Sequence, residues 1–132
     1  MKPFGRIYVI TNLITHQQYV GQTTRTLAAR WDDHLHNAAD PKEHRRLCVA
    51  IRRYGPSSFI IKELRVCYSR AELDRWEKIY ITRLNTFITG YNMTPDGQYH
   101  HRTHSKKTSQ PPHFNRPFRL LKMIAWSLSH NE

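Results

Sequence analysis

The chain has 132 residues, 39% of them hydrophobic and 11% aromatic, and its 21 Lys and Arg against 10 Asp and Glu give a formal charge of +11. That length sets one domain with room for an appendage, and the charge calls for a polyanionic partner, nucleic acid ahead of an anionic membrane surface. No apolar run approaches the ~18 residues of a transmembrane span, Arg6 and Asn12 interrupt any signal-peptide core, and Cys48 and Cys67 form no CxxC pair; the expectation is an intracellular, cytoplasmic protein without membrane contact.

Residues 6–12 alternate around Ile7 and Val9 and are rich in β-branched and aromatic side chains, which predicts a strand. Residues 17–22 are its antiparallel partner across the tight Leu13-Ile14-Thr15-His16 connection. Tyr8 and Tyr19 fall at matching places in the two strands, and Gly21 either ends the second or permits a close backbone approach. Leu27, Trp31, Leu35 and Ala38 recur at helical spacing and predict a helix over 26–39. Asp40-Pro41-Lys42-Glu43 then carries a helix-start signal: Asp40 as N-cap, Pro41 at the first helical position and Glu43 closing a capping box. The helix that follows sets Leu47, Ala50, Ile51 and Tyr54 on one face and stops at Gly55-Pro56. Residues 59–66 read as a third strand. Ser69 and Glu72 form a second capping box, opening a helix over 70–84 that buries Leu73, Trp76, Tyr80 and Leu84. From Gly97 the apolar periodicity fades, Pro111, Pro112 and Pro117 interrupt the chain, and a short basic helix over 118–128 is expected in an extension that is otherwise partly disordered. The domains are therefore 1–96, in the order ββααβα, and a basic extension over 97–132.

Some polar residues do not fit a solvated surface. Arg30 and His34 share one helix face beside the apolar stripe, where they are either a solvated flank or part of a site. Glu77 falls at the edge of a buried face, among Leu73, Tyr80 and Ile81. Burying an unpaired carboxylate is costly, so Glu77 should meet a metal or a local arginine such as Arg83. His44 is expected in the first turn of the second helix, amid Arg45, Arg46, Arg52 and Arg53. Those arginines make either a solvated face or phosphate contacts, and the overall charge favours phosphate. Lys106 and Lys107, in the extension, should grip phosphates without reading bases. The histidines of the His100-His101-Arg102-Thr103-His104 run have no matching cysteine or carboxylate cluster to complete a metal site.

Together these pieces resemble the GIY-YIG nuclease family, its phage and homing-type members above all, over about 6–92. "RIY" at Arg6-Ile7-Tyr8 and "YVG" at Tyr19-Val20-Gly21 stand for the two name motifs. "RWDDH" supplies Arg30 and His34, "EHRR" the histidine His44, "RWEKIY" the glutamate Glu77, and "GYNMT" the asparagine Asn92 that closes the site. Arg6 replaces the first glycine of the family name, and Gln22 and Thr23 stand where some relatives carry a lysine. The resemblance implies an α+β fold, a small three-stranded antiparallel sheet flanked by helices. It implies a metal-dependent DNA endonuclease that hydrolyses phosphodiester bonds with a single Mg²⁺ (or Mn²⁺) on Glu77, with Arg30 against the phosphate. Tyr8 would be the general base, His34 would take its proton, and Tyr19 would orient the water or the phosphate; the two phenols could exchange roles. The enzyme would act as a monomer or a transient homodimer on DNA. The alternatives are a non-catalytic nucleic-acid-binding protein that keeps the fold, and a small basic RNA-binding structural protein.

Overall fold

The computed structural model describes residues 1–97. Strands β1 (Gly5–Asn12), β2 (Gln18–Thr23) and β3 (Phe59–Cys67) form one antiparallel sheet in the order β2-β1-β3. Helices α1 (Leu27–Ala38), α2 (Arg46–Tyr54) and α3 (Arg70–Leu84) complete the expected ββααβα order. No helix among the described residues is long and apolar enough to cross a membrane.

Side chains alternate across a strand, so the central strand β1 feeds two cores. Tyr8 and Ile10 pack with Ala38 of α1, Leu47, Cys48 and Ile51 of α2, and Phe59 and Tyr91. Ile7 and Val9 pack with Val20, Cys67, and Leu73 and Ile81 of α3. β2 is an edge strand, so the two helical layers approach each other around its free side. Between β1 and β3 the register passes from Ile7↔Arg65 to Tyr8↔Glu63. Leu64 is thus an extra residue, a bulge that re-aims the chain beside Tyr8.

Local chemistry sets most boundaries. Asn12 closes the β1–β2 loop by accepting from the N–H groups of Ile14 and Thr15, and His16 takes the left-handed turn position at φ 69°. Thr26 caps α1 by accepting from the Ala29 N–H, and Ser69 caps α3 by accepting from that of Glu72. The start of α2 departs from expectation. Asp40 caps only a turn, its side chain accepting from the Lys42 N–H and its carbonyl from that of Glu43. Glu43 does not reach back to it; both its oxygens pair with Arg45, at 2.7 and 2.9 Å. A charge-assisted fork outcompetes a backbone N–H, and Arg52 satisfies the carbonyl of Ala38 at the end of α1 and those of Asp40 and Glu43 in the connector. α2 therefore begins at Arg46, and His44 lies exposed in the connector rather than in a first helical turn. Leu84, expected on the buried side of α3, is exposed at its end.

Candidate active site

The face under α1 contributes a chain of buried hydrogen bonds. Tyr8 is fully buried, with its Oη 2.8 Å from His34 Nε2 and receiving a hydrogen bond from Arg30 Nε at 3.1 Å. Burial, then the cations of Arg30 and Arg45, push the pKa of His34 down to about 3. His34 is thus neutral, and with Arg30 donating into the phenol, the proton of Tyr8 is directed at Nε2. Burial, then Tyr19, push the phenol of Tyr8 well above its ordinary pKa, opposed by Arg30. Tyr19, half-buried, lies with its ring 6.3 Å from that of Tyr8 and edge-on to His34 at 5.4 Å. Burial and then Glu77 raise its pKa too. Gly21, opposite Tyr8 in the sheet, settles its own ambiguity: β2 continues past it, and a Cβ there would stand 2.4 Å from Tyr8 Oη. The glycine permits the close approach.

The face under α3 contributes acid. Glu77 is 3% exposed, and its only hydrogen bond among the described residues is from Gln22 Nε2 to Oε1, at 2.8 Å. No arginine pairs with it among the described residues; Arg83 lies over the rings of Trp76 and Tyr80 instead. Burial pushes its pKa up to about 8, the Gln22 hydrogen bond opposes this, and the carboxylates of Asp74 and Asp96 add to it. The same Gln22 nitrogen donates to Asp74 Oδ1 at 3.0 Å, while Arg70 Nη1 donates to Gln22 Oε1 at 2.6 Å. Gly97, at φ 74°, passes so close that a Cβ would lie 2.5 Å from the Glu77 carboxyl carbon. Tyr19, Gln22, Arg30, Arg70 and Glu77 share the lining of one cleft of about 270 Å³.

A single divalent ion fits this donor set. Glu77 Oε2 accepts no hydrogen bond among the described residues, so the carboxylate is buried, undercompensated and open on one oxygen to a cation. Mg²⁺ keeps several waters and needs only one or two carboxylates. No group of three or more His, Cys, Asp or Glu that could hold a metal occurs among the described residues.

The other expected residues divide. Asn92 is buried beside β2, where its Oδ1 accepts from the Val20 N–H at 2.8 Å and its Nδ2 donates to the Val20 carbonyl at 2.9 Å. It completes the strand edge between Tyr19 and Gly21. Arg45 is held by Glu43 within electrostatic reach of Tyr19 and His34. Arg46, expected on phosphate, donates instead to the carbonyls of Phe87 and Asn92, and Arg52 to the carbonyls already described. Arg53 is half-buried on α2, and exposed His44 makes no hydrogen bond among the described residues. Lys106, Lys107, the helix over 118–128 and the histidine run lie outside the described residues. Sequence reasoning missed Gln22, Arg70, Asp74 and Gly97 around Glu77. Asp74 and Glu77 at i, i+3 on one helix was the available signal; the approach of Gly97 left none.

The model of the GIY-YIG catalytic domain matches residues 4–92. Among solved structures, a glutamate-to-alanine mutant of the catalytic domain of intron endonuclease I-TevI superposes at a TM-score of 0.62 with 22% identity, covering 69% of this chain and 94% of that one. The catalytic domain of homing endonuclease I-TevI gives 0.60 and 24% identity, over 68% and 98%.

Proposed function

This chain belongs to the GIY-YIG family, and from that premise we propose that it is a metal-dependent DNA endonuclease using one divalent ion, Mg²⁺ or Mn²⁺, on Glu77. The observation that carries the reading is the shared cleft of Tyr19, Arg30 and Glu77, drawn from β2, α1 and α3. When bound, the ion supplies Lewis-acid polarisation of the phosphate and stabilises the departing oxygen. Arg30 stays charged, because the phenols of Tyr8 and Tyr19 offset the lowering effect of its burial. It presents a fork of donors to the phosphate oxygens. Tyr8 is the general base: Arg30 donates into its Oη and favours the phenolate against the burial that raises its pKa, and His34 stands in direct hydrogen bond to take the proton. Tyr19, on the cleft wall, orients the attacking water or the phosphate. One observation favours the reverse assignment, since Tyr19 and not Tyr8 lines the cleft. Asn92 fixes the strand that carries Tyr19.

With one such cleft among the described residues, cutting both DNA strands takes two successive nicks or a transient dimer on DNA. The non-catalytic alternative leaves Glu77 unexplained, because a fold kept for binding alone gains nothing from an undercompensated buried acid. The deciding experiment is conversion of supercoiled plasmid with Mg²⁺ or EDTA. Nicked circles should form only with the metal, and Glu77→Ala should lose cleavage while retaining DNA binding. Equal cleavage by the variant, or cleavage in EDTA, removes the one-ion reading.

A further inference from the structure

Gln22 is an edge-strand residue that no step of the proposed reaction uses, yet its side chain makes three hydrogen bonds on the α3 face. Val20 and Gln22 alternate onto the α3 side of β2, while Tyr19 and Gly21 face α1. The carboxamide reaches Glu77 Oε1 at 2.8 Å and Asp74 Oδ1 at 3.0 Å through one nitrogen. An amide can be turned about its last bond, which would point its oxygen at two acids. Arg70 forbids that orientation by donating to Gln22 Oε1 at 2.6 Å. Arg70 is itself steadied by Asp74 at 3.4 Å and by the ring of Phe4, 5.3 Å from its guanidinium carbon. The result is a directed chain from Arg70 to Gln22 to Glu77.

We propose that Gln22, locked by Arg70, is the positioning residue of the Glu77 ion site: it holds Oε1 so that Oε2 is presented to the cleft. This rests on the one-ion reading and adds to it why an amide stands at this position. A neutral donor fixes the carboxylate without neutralising it, leaving its whole charge for a divalent ion. Outer partners of metal ligands act in this way by fixing ligand orientation, and losing one typically costs about 10–100-fold in metal affinity.

The test measures Mn²⁺ binding to the full chain by loss of the free-ion paramagnetic resonance signal, with thermal melting in EDTA to follow folding. Gln22→Met keeps length and removes all three hydrogen bonds of the carboxamide; it should weaken Mn²⁺ binding by about 10–100-fold. Arg70→Met frees the carboxamide to turn and should weaken Mn²⁺ binding in the same direction. A well-folded Gln22→Met that binds Mn²⁺ like the wild type overturns the positioning role alone. An Arg70→Met with unchanged Mn²⁺ affinity overturns the locking by Arg70. If the wild-type chain binds Mn²⁺ no better than Glu77→Gln, the one-ion reading fails, and this inference falls with it.

Discussion

The two faces of the sheet solve the problem of buried polar groups in opposite ways. Under α1, the buried phenol is answered: Tyr8 bonds to His34 and Arg30, and the low pKa of His34 keeps the imidazole neutral. Under α3, a carboxylate is buried with one neutral amide as its partner and two further acids near enough to raise its pKa. The first face is finished as it folds. The second holds an acid that a proton answers while no cation is bound, because burial raises its pKa to about 8, and that a divalent ion is suited to claim.

The strongest way to break this contrast is Glu77→Gln. The amide oxygen still accepts from Gln22, but the charge is gone. Plasmid nicking should fall by about a thousandfold or more, in keeping with the loss of a principal electrostatic stabiliser. Stability in EDTA should move the other way. The raised pKa means the folded chain holds a proton on Glu77 that the unfolded chain releases above about 4.5, so the wild type loses stability as pH rises from there toward about 8. The variant should therefore be more stable at pH 8 by roughly 1–3 kcal/mol, read from denaturant melts. A variant that is both inactive and less stable would mean that Glu77 is structurally satisfied.

Much of the α1 half was legible in the sequence because its parts are local. Tyr8 and Tyr19 sit on one hairpin, and Arg30 and His34 on one helical turn, so period alone brings them near each other. α3 was legible, since Ser69 announces its start by capping the Glu72 N–H, although the Glu72 carboxylate accepts from the Tyr68 N–H rather than closing the box on Ser69. The α3 side of the site was not. Glu77 stood out only as an acid in an apolar frame, and the open choice between an arginine and a metal depended on which side chains the third dimension supplied. Gln22 is far from Glu77 in sequence and meets it only because β2 is the edge strand beside α3. The start of α2 misled for a related reason. Asp40-Pro41-Lys42-Glu43 has the right residues for a cap, but Arg45 and Arg52 draw the same groups into another network.

On the α1 face the sharpest test separates the two phenols. Tyr8→Phe removes a buried hydroxyl with two hydrogen-bonding neighbours, and Tyr19→Phe a hydroxyl on the cleft wall. If Tyr8 is the base, its variant should lose about 10²–10³ in single-turnover cleavage, the range for general-base removal, with DNA affinity unchanged. Tyr19→Phe should lose less. The reverse order would move the base to Tyr19 and leave Tyr8–His34 as a structural pair.

The neutrality of His34 gives a prediction about stability alone. Its folded pKa of about 3 lies below the unfolded value near 6.5, so the unfolded chain takes up a proton first as pH falls. The contribution is whole above about 6.5 and is lost progressively toward about 3. Each unit of separation corresponds to about 1.4 kcal/mol. His34→Gln should flatten the acid limb of a stability–pH curve by about 2–4 kcal/mol. An identical limb in both proteins would mean that the His34 pKa is the same in the folded and unfolded chains, so that burial does not hold the imidazole neutral below its ordinary range.

The smallest expected effect probes the seam between the two faces. Asn92 gives β2 a second partner on its free edge, holding Val20 from both sides of its peptide. Asn92→Asp keeps the acceptor for the Val20 N–H but sets a carboxylate oxygen against the Val20 carbonyl. Near neutral pH this should cost about 1–3 kcal/mol, the usual penalty for an unsatisfied buried polar group. A protonated Asp can donate again, so the deficit should shrink as pH falls toward 4, the opposite slope to that expected from His34. Because Val20 lies between Tyr19 and Gly21, cleavage should drop only a few-fold in Asn92→Asp at neutral pH. A loss as deep as that of Glu77→Gln would show that Asn92 acts on the reacting groups themselves and is more than a clamp on the strand that carries them.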